Sequence, residues 1–346
     1  MAGEFPGAGS VRAARRGFLL GKFMPPHAGH QFLCDFARAY CDELTILVCS
    51  LEREPIPGDL RLAWMRELYP DCRVAGFTEE VPQEPGEHSH FWTIWREIVR
   101  AAHPEPIDVV FASEAYGARL AEEVGARFVP VDPLRAFAPV SGTAVRRDPV
   151  AAWPWLPEPV RRHYRRTVCL FGPESTGKTT LAAALAAEYA TCVAPEYGRT
   201  YTEVFGVECR PEDLVRIALG HEAAMAAAAK RAGPLMICDT DPVLTAVWSD
   251  MLTGGRDPQL ANAPLCDLYL LTDVDEPWVD DGTRYFPDES TRRRFFQACE
   301  RELVVHGARY VRIGGPYETR LAQARAAIDD AFPAVRQALN RSARRP

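Results

Sequence analysis

Apolar residues along this chain come in short runs separated by stretches of helical spacing. The runs "GFLLGKF" (17–23) and "ELTILVCS" (43–50) flank "GHQFLCDFARAY" (29–40), whose apolar positions recur every three or four residues. That is one β-α-β unit. Farther along, "FWTIWREIVRAA" (91–102) has helical spacing, and "IDVVFASE" and "ARFVPVD" read as two more strands. Strands that alternate with helices predict a parallel sheet covered on both faces. Such sheets bind ligands outside the carboxyl ends of their strands, so the polar residues there are the ones to inspect.

The pattern then breaks and restarts. Residues 148–166, "DPVAAWPWLPEPVRRHYRR", carry four prolines among aromatics and arginines, which suits a packed connector better than a flexible linker. Beyond it, "TVCLFGPESTGKTTLAAALAAEYA" reads as strand, glycine loop and Ala-rich helix, and "LMICDTD", "LYLLTD" and "RYVRIGG" continue as strands. Two α/β domains follow: a short disordered lead (1–15), a first domain (16–150), a connector (151–166) and a second domain (167–340). The chain's 346 residues agree, because a single core stops growing near roughly 250–300 residues.

Composition narrows the partners. A net charge of -7 argues against a mainly electrostatic nucleic-acid or membrane binder. No apolar run reaches the ~20 residues that span a bilayer, and the first residues lack the apolar core of a secretory signal. The ten cysteines are scattered without a CxxC pair, so they predict reduced thiols packed as small hydrophobes in a cytoplasmic protein, and no zinc site or disulfide framework. Self-association into a homo-oligomer is compatible with all of this.

In the second domain, Gly172, Pro173, Glu174, Ser175, Thr176, Gly177, Lys178 and Thr179 form a G-x-x-x-x-G-K-T loop between strand and helix, with Thr180 following. The glycines let backbone N–H groups turn inward around phosphate oxygens, Lys178 reaches the β- and γ-phosphates, and Thr179 offers its hydroxyl to Mg2+. A carboxylate at the end of a later strand completes such a magnesium site, and "LMICDTDPV" offers Asp239 or Asp241; Asp241 can instead cap a helix. After the Ala-rich helix, a short strand-like run ends in "PEYGR", which places Glu196, Tyr197 and Arg199 where a carboxylate can take the proton of an attacking hydroxyl and an arginine can hold a ribose or phosphate, or where a surface turn carries an ordinary ion pair. The Arg-rich segment 276–296 is a candidate lid, with Arg284 and the run from Arg292 to Arg294 as phosphate contacts or as a solvated helix face. The glycines of "IGGPYETR" either meet the adenine or make the turn.

In the first domain, His27 and His30 sit in "GKFMPPHAGH" beside a Pro-Pro pair and two glycines. An H-x-x-H pair can mark a metal site, but no third ligand accompanies it. The better account is a turn after the first strand with His30 at a helix start, where backbone N–H groups and two imidazoles neutralise phosphates in a transition state. The stretch resembles the GxFxPxHxGH signature of the nucleotidylyltransferase superfamily, in which the histidines bind the triphosphate and stabilise the pentavalent phosphorus. By that resemblance Gly21, Lys22, Phe23, His27 and His30 belong to an ATP site. "PVSGTAVRRDP" resembles the companion ISSTxxR element and implies Ser141, Thr143 and Arg146 on the β- and γ-phosphates, with Gly142 in place of a more usual serine.

An adenylyltransferase motif followed by a kinase motif resembles the NadR-type bifunctional enzymes, over roughly residues 16–335. The resemblance implies a Rossmann-like nucleotidylyltransferase domain and a P-loop kinase domain, both doubly wound. It also implies two reactions with Mg2+ and ATP: ribosylnicotinamide to nicotinamide mononucleotide (NMN), then NMN to NAD with release of pyrophosphate. Glu196 or Asp239 would stand near the attacking hydroxyl. Trp92 or Trp95 would stack on nicotinamide unless they only pack the helix, and Ser113, Glu114 and Tyr116 would contact NMN or the adenine ribose. Some members of that family carry an N-terminal helix-turn-helix; about 15 residues precede the first strand here, so no nucleic-acid binding is expected. The alternatives are a regulator that binds NAD and ATP without turnover, or a kinase and adenylyltransferase for another acceptor.

Overall fold

The computed structural model describes residues 14–278 and 284–342, and the chain divides between residues 163 and 164 into two compact units. In the first unit β1 (Ala14–Gly21), α1 (Ala28–Tyr40), β2 (Cys41–Cys49), α2 (Gly58–Leu68) and β3 (Arg73–Phe77) are followed by α3 (Phe91–Ala102), β4 (Val109–Ala112), α4 (Tyr116–Val124), β5 (Arg127–Pro130) and α5 (Gly142–Arg147). The strands pair in parallel in the order β3-β2-β1-β4-β5. The chain therefore winds outward from β1 twice, and the switch lies between β1 and β4. A crevice opens at the carboxyl ends of such neighbours.

Burial explains the spacing read in the sequence. On α3 the buried positions are Phe91, Trp95 and Val99, a stripe repeating every four residues. They cover Phe18, Leu47 and Val110 on one face of the sheet, while Leu33, Cys34 and Ala37 of α1 help cover the other. Strand β1 begins at Ala14, two residues inside the expected lead, because Asp108 accepts from the backbone N–H groups of Arg15 (3.0 Å) and Arg16 (2.8 Å).

Near the boundary lie α6 (Glu158–Tyr164) and β6 (Arg166–Phe171). The second unit continues with α7 (Lys178–Glu188), β7 (Val193–Ala194), α8 (Tyr197–Phe205), α9 (Pro211–Ala229), β8 (Leu235–Asp239), α10 (Pro242–Thr253), β9 (Leu268–Thr272), α11 (Glu289–Val305), β10 (Tyr310–Ile313), α12 (Tyr317–Ala331) and α13 (Pro333–Ser342). Its sheet is again parallel, in the order β10-β9-β6-β8-β7, with β6 at the centre. The loop of residues 172–177 leaves the end of that central strand.

Arg61 on α2 is fully buried beneath the first unit's crevice. Its guanidinium pairs with Glu54 at 2.7 Å and donates to the carbonyl of Lys22 at 2.9 Å; Glu54 also holds the Lys22 ammonium at 2.8 Å. Removing one partner of a buried pair strands the other charge, so Arg61→Met is expected to cost ~3–5 kcal/mol. Urea unfolding of the full chain checks this: a Glu54→Gln/Arg61→Met double variant must lose less than the two single variants together.

Candidate functional site

The chain carries two candidate sites, one in each unit. The first is a cavity of about 740 Å3 at the carboxyl ends of β1 and β4. Gly21, Lys22, Phe23, His27, His30, Trp92, Trp95, Ser113, Glu114, Tyr116, Ser141, Thr143 and Arg146 all line it, so residues up to 125 positions apart in sequence share one wall. His27 is the N-cap residue of α1, and the helix's first turn brings the His30 ring over it, 3.8 Å between centroids and nearly parallel. Both Nδ1 atoms are buried without a protein partner. Burial, and then the charge of Arg135, hold His27 down to about 4; burial, His27 and Arg135 hold His30 well below its usual value. Two neutral rings thus wait where an anion would supply the missing compensation.

The other half of this site comes from α5. Ser141 caps the helix by accepting from Ala144 N–H at 3.2 Å, and Arg146 donates to the Met24 carbonyl at 2.5 Å and to Thr143 Oγ1 at 3.2 Å. The two motifs are therefore stitched together by a direct bond. Gly142 has a steric reason: a Cβ there would lie 2.6 Å from the Met24 carbonyl oxygen. Tyr116 donates to the Leu20 carbonyl at 3.2 Å. The Trp95 N–H donates to Pro82 O at 3.0 Å and most of its ring is core, whereas Trp92 is half-buried with Arg119 over one face. Sequence reasoning missed Arg135, which lines the cavity and pairs with Glu114 at 3.2 Å from a loop with no motif of its own.

The second site is a cavity of about 440 Å3 above β6. Glu174, Ser175, Thr176, Gly177, Lys178, Thr179, Thr180, Glu196, Arg199 and Arg284 line it. Gly172 and Pro173 do not: Gly172 has φ +137 and no room for a Cβ beside Thr272, and Pro173 turns its carbonyl to Lys178 Nζ (2.6 Å) and Thr176 Oγ1 (2.8 Å). Glu174 fixes the far wall by accepting from the N–H groups of Tyr285 and Phe286, and Arg284 donates to Ser175 Oγ. Glu196 is the N-cap residue of α8 and faces Arg199 at 3.8 Å. Tyr197 does not line the cavity; its ring packs on Gly220 and near His221, bracing α8 on α9.

The two aspartates part ways. Asp239 ends β8 beside Leu170 of β6, and its buried Oδ1 has no protein partner, which makes it an acceptor suited to a cation. Asp241 corrects the expectation of a substrate or metal contact there. Thr240 takes a left-handed φ of +71, so Asp241 turns into the core, where it caps α10 through Leu244 N–H (3.1 Å) and accepts from Tyr269 OH (2.7 Å). The arginine run also divides: Arg292 is buried on the carbonyls of Ser175 and Glu276, while Arg293 pairs with Glu289 and Arg294 with Thr291 on an exposed helix face. Gly314 and Gly315 make the turn, with their N–H groups on Gln323 and Asp275. Of the expected lid, residues 279–283 lie outside the described residues.

Sequence reasoning also missed an aromatic wall in this cavity. Trp248 and Tyr285 line it with ring centroids 5.4 Å apart, and Phe286 stacks behind Trp248. His221 lines it too, held down to about 4 by burial. Because His27 and His221 take protons at about 6.5 when unfolded and only near 4 when folded, the unfolded chain binds more protons between those values. Stability is full above that window and falls through it. The urea midpoint should therefore drop between about pH 7 and about pH 5, and an unchanged midpoint would contradict neutral buried rings.

A family described as "AAA domain" matches residues 167–320. The chain is 31% identical over 337 residues to the trifunctional NAD biosynthesis/regulator protein NadR of Salmonella typhimurium, spanning 90% of this chain and 80% of that protein. It is 30% identical over 145 residues to the nicotinamide-nucleotide adenylyltransferase of Pyrococcus abyssi, spanning 40% of this chain and 75% of that one. Among solved structures, a NadR protein in complex with NAD and AMP-PNP superposes with a TM-score of 0.69 at 22% identity, over 93% of this chain and 98% of that one. Another, in complex with NR, gives 0.71 at 22% identity over 93% and 97%. No helix among the described residues is long and apolar enough to cross a membrane.

Proposed function

The chain belongs to the NadR family, and from that premise we propose that it makes NAD by salvage through two transferase reactions in sequence. The second unit transfers the γ-phosphoryl group of ATP to the 5′-hydroxyl of ribosylnicotinamide, giving NMN. The first joins NMN to the AMP part of another ATP, giving NAD and pyrophosphate. The observation that carries this reading is the pair of cavities, each lined by its own phosphate-gripping set.

In the second unit Lys178 and the N–H groups of the loop hold the triphosphate. Thr179 and Asp239 would hold Mg2+, which neutralises charge on the β- and γ-phosphates. Glu196, which faces the cavity where Asp239 does not, takes the proton of the attacking hydroxyl while Arg199 holds the ribose. Trp248 and Tyr285 receive the cationic nicotinamide ring, since aromatic faces attract cations. Trp248→Ala is expected to raise KM for ribosylnicotinamide about tenfold with little change in KM for ATP. An equal rise for both substrates would place Trp248 in general packing instead.

In the first unit no side chain attacks phosphorus. The NMN phosphate is the nucleophile, and His27, His30, Lys22 and Arg146 stabilise the charge that builds on the triphosphate. Ser113, Glu114, Tyr116, Trp92 and Trp95 form the wall for NMN. The test is one assay of the purified chain with Mg2+, ATP and ribosylnicotinamide, following NMN, NAD and pyrophosphate with time. NMN first and then NAD with pyrophosphate is the expected course. Tight NAD binding without turnover in either unit would make the chain a sensor.

A further inference from the structure

Outside both cavities, the core of the second unit gathers a set of side chains that neither reaction uses. Cys169 of β6 is in register with Cys238 of β8 on one side and Tyr269 of β9 on the other, so all three emerge on the same face of the sheet. Cys266, just before β9, reaches the same point: its sulfur lies within 4.8 Å of that of Cys169, and its backbone N–H donates to Tyr269 OH at 3.0 Å. Asp241 completes the group, and all five residues are buried.

The sulfur atoms of Cys169 and Cys266 and a carboxylate oxygen of Asp241 lie within 4.8 Å of one another. Bonds of ~2.3 Å to sulfur and ~2.0 Å to oxygen would draw them to roughly 3.5–3.8 Å, a shift of about an ångström or less for each. Every member of the group becomes an electron-pair donor by losing a proton, and none brings positive charge. Among the described residues no Lys or Arg hydrogen-bonds or ion-pairs with any of the five. Packing explains a buried cysteine, and helix capping explains the Asp241 carboxylate. Neither explains why two thiols and a carboxylate meet in an apolar core, with a third thiol in register beside them.

We propose that Cys169, Cys266 and Asp241 form a three-ligand site for a thiophilic divalent cation such as Zn2+. Binding releases the thiol protons to solvent and oxidises nothing. Tyr269, which donates to one oxygen of Asp241, orients that carboxylate, as a hydrogen-bonded partner does for a metal ligand. The ion ties β6, the start of α10 and the approach to β9 together, with its β6 ligand three residues before Gly172. It is separate from the Mg2+ position, whose donors are the oxygens of Thr179 and Asp239, and none of its ligands lines the nucleotide cavity.

The test is the metal content of the full chain, produced with Zn2+ supplied, passed over a chelating resin and measured by plasma mass spectrometry. About one Zn2+ per chain is expected, kept in Asp239→Asn and lost in Cys266→Ser. Folded wild-type chain without Zn2+, or Cys266→Ser with the wild-type content, overturns the site. If Cys266→Ser does not fold, wild-type chain produced with Co2+ decides: a thiolate-to-cobalt charge-transfer band in the near ultraviolet supports the site, and bound Co2+ without that band overturns it.

Discussion

His30→Ala is expected to lower NAD formation from NMN and ATP about 10²–10³-fold, the loss typical of removing one preorganised donor from a developing negative charge. Conversion of ribosylnicotinamide to NMN should persist, because His30 belongs to the cavity of the first unit and Lys178 to that of the second. His30 stacks on His27, contacts the Phe23 ring at 5.0 Å and has a buried Nδ1 without a partner. A triphosphate reverses the balance that keeps both rings neutral, since its charge favours the protonated form that burial opposes. The loss should fall on kcat more than on KM for ATP, because the interaction strengthens as charge builds. His30→Gln, which keeps a hydrogen-bond donor, should recover part of the rate. Equal loss of both activities would sink the division of labour, and undiminished NAD formation would remove His30 from the mechanism.

What the sequence discloses here depends on whether a function is written in local spacing. The G-x-x-x-x-G-K-T loop and the H-x-x-H turn are local, because each needs a strand end, a glycine bend and a helix start within a dozen residues. The strands that carry them are continuous apolar runs, buried on both faces, and these were equally legible. Strand β3 (Arg73–Phe77) was not, because as an edge strand it is only half-buried and its pattern is weak.

Side-chain direction was hidden for a different reason. Asp239 and Asp241 stand two apart and so should share a face of an extended chain, but the left-handed turn at Thr240 separates them. Nothing about a threonine announces that conformation. Arg135, Trp248 and Tyr285 reach their cavities only through long-range packing, and the buried Arg61 sits in a segment that carries no motif. Conversely, the structure supplies a reason for Gly142 that spacing does not contain: the carbonyl of Met24, more than a hundred residues earlier, occupies the space of a side chain.

Lys178→Ala should remove NMN formation from ribosylnicotinamide by about 10²–10³-fold while NMN supplied directly still becomes NAD. The lysine is buried, and its ammonium donates across the loop to the Pro173 carbonyl at 2.6 Å. A neutral carbonyl is a weak partner for a charge in such a place, and phosphate oxygens offer stronger, charge-assisted bonds. Binding of ATP therefore exchanges one partner for a better one without moving the loop backbone, which Gly172, the Thr176–Thr272 contact at 2.7 Å and Arg292 hold from three sides. Lys178→Arg separates charge from shape: it keeps the cation but spreads it over a planar fork that the enclosed position does not fit, so activity should stay low. Activity restored by arginine would mean that charge alone is needed. If Lys178→Ala also stopped NAD formation from supplied NMN, the two cavities would not act independently, and a single coupled site would have to replace the two-step scheme.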